Sequence, residues 1–150
     1  MATIIDGKAF AAKIRSQVKV DAENLIAKKQ VNPCLAVVLV GENPASKVYV
    51  GAKTKMAAEC NIKTKDHKLD ESTDQETLLK LIKMLNEDTE IHGILVQLPL
   101  PKQIDERKVI DAIAVEKDVD GFHAINAGRL SIGGDMLKKA FIPCTPLGSL

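Results

Sequence analysis

The sequence predicts an α/β fold, with a mainly parallel sheet held between two layers of helices in a three-layer α-β-α arrangement. Three observations carry this prediction. Helical and strand-like segments alternate in the order α-β-α-β-α-β-α, and strands joined by crossover helices pair in parallel with helices on both faces. The inner strand-like segments are short, nearly continuous apolar runs, as strands buried on both faces are. Aromatic residues are scarce, with 3 Phe, 1 Tyr and no Trp, so Val, Ile, Leu and Ala must fill the core.

From Gly7 to Lys29, apolar residues recur at Phe10, Ile14, Val18, Ala22, Leu25 and Ile26, a helical stripe with Asp6 placed to cap it. Pro33 breaks the pattern, and Leu35 to Val40 is an apolar run of strand length ended by Gly41. Asn43-Pro44 then supplies an N-cap and a first helical residue of fixed φ, so a second helix is expected to run to about Cys60. Ile62 to Leu69 alternates weakly and is more polar, which suits an outer strand. Thr73-x-x-Glu76 reads as a capping box before Leu78, Leu81, Ile82 and Leu85 at helical spacing. Ile91 to Leu98 gives another apolar strand closed by Pro99 and Pro101, and Ile104 to Ala114 a further helix entered at Asp105. Gly128, Gly133 and Gly134 make Gly121 to Ala140 read as irregular. Thr145-Pro146 is again an N-cap with Pro at the first helical position, and the sequence stops at Leu150 within about one turn of it. The expectation is an N-terminal piece of a longer protein, ending where a connecting helix begins.

Composition narrows the function. With 150 residues, 45% hydrophobic and 27% charged, the chain suits one globular domain rather than a disordered or fibrous one. Its 21 basic and 20 acidic residues leave a net charge of +1, which offers no footprint for nucleic acid and no polybasic membrane anchor. The longest apolar run, Leu35 to Val40, is far below the ~20 residues of a membrane helix. Cys34, Cys60 and Cys144 are odd in number and widely spaced, arguing against a disulfide framework or a thiolate zinc site. No signal or transit pattern opens the chain. A cytoplasmic protein with a small-molecule partner is expected.

Ligands of open parallel sheets bind beyond the carboxyl ends of the strands, which favours residues just after Val40 and Val96. Tyr49 and Lys53 are i,i+4 on the helix after the first apolar strand and share a face, although the spacing equally describes a solvated Lys lying over a Tyr ring. Gln97 ends an apolar strand, where a carboxamide must find partners in a ligand or in loop backbone. Glu116-Lys-Asp118-Val-Asp120-Gly121 starts like a calcium loop, but Ala127 stands where the bidentate Glu is required. These acids could instead cap a turn, or grip a nitrogen-rich ligand edge. His67, His92 and His123 lack metal-ligand spacing, so no metal is expected. Neither a P-loop nor a G-x-G-x-x-G occurs, so no nucleotide site is expected within these residues.

Four segments go further. Val40-Gly-Glu-Asn-Pro-Ala-Ser-Lys-Val-Tyr-Val-Gly-Ala-Lys53, Gly93-Ile-Leu-Val-Gln-Leu-Pro-Leu-Pro101, Lys117-Asp-Val-Asp-Gly-Phe-His123 with Asn126-Ala-Gly-Arg-Leu130, and Pro143-Cys-Thr-Pro146 together resemble the bifunctional methylenetetrahydrofolate dehydrogenase/methenyltetrahydrofolate cyclohydrolase family. The resemblance covers essentially the whole chain in order. It implies NADP-dependent oxidation of 5,10-methylenetetrahydrofolate and hydrolysis of the resulting methenyl cation to 10-formyltetrahydrofolate at one shared folate site. By similarity, Lys53 is the central catalytic group, Gln97 positions it, Tyr49 stacks on the folate rings and Asp120 binds the amino-pyrimidine edge of the pterin. Val96 and Leu98 would flank Gln97 in the substrate wall, with Ser46 and Cys144 near the cleft. A cationic substrate in a partly desolvated cleft favours a neutral neighbouring amine, which suits proton transfer as water adds.

The same resemblance implies that residues 1–142 form a folate-binding catalytic domain and that residues 143–150 begin a connection to a Rossmann domain holding NADP. It further implies a homodimeric parent enzyme of one-carbon metabolism, with the isolated 150 residues inactive as a dehydrogenase. The competing expectation is a non-catalytic ligand-binding or interaction domain on the same scaffold, because scaffold alone does not fix chemistry.

Overall fold

The computed structural model describes residues 6–149. Its elements are α1 (Gly7–Lys29), β1 (Cys34–Val40), α2 (Pro44–Glu59), β2 (Lys63–Leu69), α3 (Gln75–Glu87), β3 (Gly93–Val96), α4 (Glu106–Ala112), α5 (Ala124–Ile132), α6 (Gly134–Leu137) and α7 (Cys144–Ser149). The three strands form one parallel sheet in the order β2-β1-β3. β1 pairs with β2 from Cys34↔Lys63 to Val40↔Leu69, and with β3 from Leu35↔Gly93 to Val38↔Val96.

The pleat of β1 divides the core in two. Ala36, Val38 and Val40 face Leu78, Ile82 and Leu85 of α3 and Val109 of α4, together with Ile94 and Val96 of β3. Val37 and Leu39 face the other way, onto Val50 of α2, with Leu95 beside them. This is the expected three-layer α/β arrangement. The central strand is apolar on both faces, and the more polar β2 takes the edge.

Local chemistry sets the helix starts. Asp6 accepts from Ala9 N, Asn43 from Ser46 N and Asp105 from Arg107 N and Lys108 N, as the sequence predicts. Four expectations are corrected. The cap of α3 is Asp74, whose carboxylate accepts from Thr77 N at 2.7 Å, rather than Thr73. Helix α4 is shorter than Ile104 to Ala114, because Ile104 precedes its cap and turns into the core. The stretch from Gly121 to Ala140 holds α5 and α6, so it is not simply irregular. Helix α7 begins at Cys144, ahead of the expected Thr145 cap, and Leu147 N donates to Pro143 O at 3.2 Å.

The stripe on α1 also departs from expectation. Ala22 is buried and Val18 and Ile26 are half-buried, whereas Phe10, Ile14 and Leu25 are exposed. Helix α1 lies against α2 and its following turn, through Cys60 Sγ to Arg15 O and Asn61 Nδ2 to Glu23, rather than on the sheet. Periodicity reports a sided helix but not what covers the side.

Beyond β3 the chain returns to the sheet edge. Ile94 N donates to Lys117 O at 2.7 Å, and Ile94 bridges Asp118 in parallel. Lys117 Nζ donates to Leu85 O, Asn86 O and Asp88 O at 2.8–3.0 Å, satisfying carbonyls that the end of α3 leaves open. Gly93 permits this approach, since a Cβ there would lie 2.5 Å from Val119 Cγ1. Segment 117–120 is thereby carried along β3 toward the carboxyl end of the sheet.

Candidate active site

At that end lies a cleft of about 520 Å³, lined by Tyr49 and Lys53 of α2, by Val96, Gln97 and Leu98, by Asp120 and Phe122, and by Pro143 to Pro146. Four separate stretches of chain supply its walls. Their meeting point is the carboxyl edge of β1 and β3, where open parallel sheets bind ligands.

Helix α2 presents Tyr49 and Lys53 one turn apart, and Ser46 and Val50, buried alongside them, seat the helix on the core. Tyr49 is 63% exposed and stands at the lip. Lys53 Nζ donates to Gln97 Oε1 at 3.2 Å. Gln97 follows the last residue of β3, its own N–H bound to Val38 O at 2.9 Å and its Nε2 to Leu98 O at 2.7 Å. The second bond orients the carboxamide, leaving Oε1 for the ammonium. The Leu98-Pro99 peptide is cis.

Asp118 and Asp120 have separate roles. Asp118 is 2% exposed and accepts from His123 N and Asn126 Nδ2, both at 2.9 Å, and from Phe122 N at 3.4 Å. Asp120 instead lines the cleft together with Lys53. Burial pushes its carboxyl above the ordinary range, with Lys53 opposing the rise and the Asp118 charge adding to it. The turn from Asp118 through Asp120 closes on Gly121 at φ +70°, and a Cβ there would sit 2.4 Å from Phe141 O.

Seven of the eight residues singled out in the sequence thus line one cleft. Ser46 does not: it is buried in the first turn of α2, its N–H bound to Asn43 Oδ1. Phe122, Pro143, Thr145 and Pro146 line the cleft without having been singled out, although the quoted motifs contain them. His123 is used internally, its Nδ1 accepting from Ile125 N at the start of α5. Among the described residues, no cluster of His, Cys, Asp or Glu could hold a metal, and no helix is long and apolar enough to cross a membrane.

The helix starts that follow the strands do not fit the phosphates of a dinucleotide, which need free helix N-terminal amides and a close glycine turn. The helices that follow β1, β2 and β3 are each closed by their own Asn43, Asp74 or Asp105 side chain, two of these being carboxylates.

Comparisons with known proteins converge. The sequence model described as "Tetrahydrofolate dehydrogenase/cyclohydrolase, catalytic domain" matches residues 5–120. The chain is 57% identical over 148 residues to the Bifunctional protein FolD of Geotalea uraniireducens, covering 99% of this chain and 51% of that protein. To its counterpart in Paramagnetospirillum magneticum it is 53% identical over 149 residues, 99% of this chain and 49% of the relative. The crystal structure of the bifunctional enzyme FolD from Campylobacter jejuni superposes with a TM-score of 0.93 at 49% identity, covering 98% of this chain and 51% of that one. The Trypanosoma brucei enzyme, solved with NADP cofactor and inhibitor, gives 0.83 at 35% identity, over 87% of this chain and 44% of its own. The chain spans about half the length of the curated relatives it matches.

Proposed function

The chain belongs to the tetrahydrofolate dehydrogenase/cyclohydrolase family, and from that premise we propose that its cleft binds reduced folates and carries the one-carbon chemistry of a methylenetetrahydrofolate dehydrogenase and methenyltetrahydrofolate cyclohydrolase. The observation that carries the reading is the Lys53–Gln97 contact opening onto the same cleft as Asp120 and Tyr49. Residues 1–142 act as the folate-binding catalytic domain, and residues 143–150 belong to the connection toward the second half seen in the relatives.

Each side chain suits its part. The Asp120 carboxylate faces the amino-pyrimidine edge, where adjacent N–H groups make a two-point, charge-assisted contact. The Tyr49 ring packs on the flat ring system. Val96, Leu98 and Phe122 supply apolar wall, and Cys144 stands at the rim.

In the hydrolytic step, water adds to the methenyl carbon, gives up one proton, and the bond from that carbon to N5 breaks as N5 takes up a proton. The added oxygen becomes the formyl oxygen on N10 once its second proton leaves. One proton is released overall. Lys53 is the cleft's proton-exchanging group, and Gln97 holds it in place by the 3.2 Å bond.

The oxidation uses NADP in the family; the dinucleotide site lies outside the described residues, and the 150 residues alone act as neither an efficient hydrolase nor a dehydrogenase. The parent enzyme is a cytoplasmic homodimer. Calorimetric titration of the chain with 5-formyltetrahydrofolate tests the folate reading. Weak, saturable binding that Asp120→Asn weakens by about tenfold or more supports it; no binding, or binding indifferent to Asp120, overturns it.

A further inference from the structure

Next to the turn that carries Asp120 is a contact between two polar side chains, neither of which lines the cleft. Asn126 of α5 is fully buried at 0% exposure, and Asp118 is at 2%. Asn126 Nδ2 donates to Asp118 Oδ2 at 2.9 Å and to Val115 O at 3.2 Å. Its Oδ1 accepts from Phe141 N and from Arg129 Nη1, each at 3.4 Å, and Arg129 Nη1 also donates to Lys139 O at 3.0 Å. The Asp118 carboxylate meanwhile holds the Phe122 and His123 amides. One side of this pair therefore grips the turn that carries Asp120, and the other grips the strand of chain leading into Pro143 to Pro146.

We infer that the buried Asp118–Asn126 pair is a positioning element that sets two walls of the cleft together, the Asp120 turn and the Pro143–Pro146 wall. One further contact ties the same segments: Gly121 packs against Phe141 O with no room for a Cβ, so displacing Phe141 disturbs the Asp120 turn. Burying a carboxylate and a carboxamide is costly unless every polar atom finds a partner, and here the partners include the backbone amides of Phe122, His123 and Phe141, beside the two walls. The catalytic significance rests on the reading of this cleft as a folate site; the mechanical coupling does not.

The test is site-resolved amide hydrogen exchange on Asn126→Ala and Asp118→Asn. Expected is a rise of about tenfold or more in exchange at His123, Phe141 and Leu147 together, with Val37 and Leu95 in the sheet unchanged, and a weakening of 5-formyltetrahydrofolate binding of about fivefold or more. Should Asn126→Ala lose sheet protection as well, Asp118→Asn, which keeps volume and shape, decides. A rise confined to one segment, or none in either, overturns the coupling whether or not folate binds. Coupled exchange without folate binding by the unmodified chain upholds the coupling and sinks the folate reading instead.

Discussion

Lys53 Nζ and Gln97 Oε1 are 3.2 Å apart across a separation of 44 residues, and this contact joins α2 to the chain leaving β3. It requires β1 and β3 to be neighbours, since α2 follows the end of one and Gln97 directly follows the end of the other. The parallel sheet is thus the device that brings an amine and its carboxamide partner to one place.

Replacing that amine is expected to remove the hydrolytic step. Lys53→Gln in a chain of the relatives' full length should lower methenyltetrahydrofolate hydrolysis by about 10²-fold or more, the scale of a lost proton-transfer group. Loss of the substrate's absorbance measures it, with circular dichroism showing the fold retained. Hydrolysis within a few-fold of the unmodified rate would remove Lys53 from its role.

Asp120 should trade stability for binding. Its carboxyl is raised by burial in the folded chain above the unfolded value near 3.8. The folded state therefore holds the proton more tightly, and stability declines as pH rises through the interval between the two values. Asp120→Asn should accordingly be more stable than the parent at about pH 7, with the gain shrinking toward about pH 4 as the acid is protonated in both states. The same change should weaken folate binding by ~1.5–3 kcal/mol, as for a hydrogen bond to a charged group. Urea midpoints across that range decide the first part; a gain that grows on acidification contradicts it.

Thiol labelling separates the three cysteines. Cys144 is exposed on the cleft rim, whereas Cys34 and Cys60 are buried. Burial also pushes the Cys34 thiol up, away from the reactive thiolate. A maleimide should modify one site, Cys144, under native conditions and all three only in denaturant, and bound folate should slow the first reaction. Mass spectrometry of the labelled peptides provides the count. Rapid native labelling of Cys34 would contradict the core packing.

NADP alone should show no saturable binding to the 150 residues in calorimetry. The capped amide ends of α2, α3 and α4 leave no cradle for its phosphates. Micromolar binding would reveal a cofactor site that none of these termini forms.

The fold was legible where local chemistry and packing agree. Asp6, Asn43 and Asp105 are short acceptors directly ahead of apolar periodicity, and each caps the helix assigned to it. Thr73 and Asp74 are adjacent candidates, and the carboxylate, a stronger acceptor for an amide, takes the place that the Thr-x-x-Glu pattern assigns to its neighbour. Helix α5 escaped notice because Gly128 and the Gly133-Gly134 pair dilute its periodicity, while Asn126 and the His123 cap hold it through partners that sequence does not pair with them. Helix α7 starts early because a backbone carbonyl, that of Pro143, receives Leu147 N, and backbone carries no residue signature. In the cleft, residue type and motif pointed to Lys53, Gln97, Tyr49 and Asp120. The division of labour between Asp118 and Asp120 emerged only with the turn at Gly121, since both acids suit either task in one dimension.

Tyr49 and Lys53 ride on a single helix seated by Ser46 and Val50, so four residues of helical rise, roughly 6 Å, separate them along its axis. Tilting or sliding α2 carries the ring and the amine together and leaves their spacing unaltered. Gln97 rides on another body, the end of β3. The site therefore has one soft coordinate, the gap between amine and carboxamide, and one stiff ruler, the helix turn. Selection acting on substrate shape can lengthen or shorten the gap through residues far from the cleft, at the seat of α2, without disturbing the ruler.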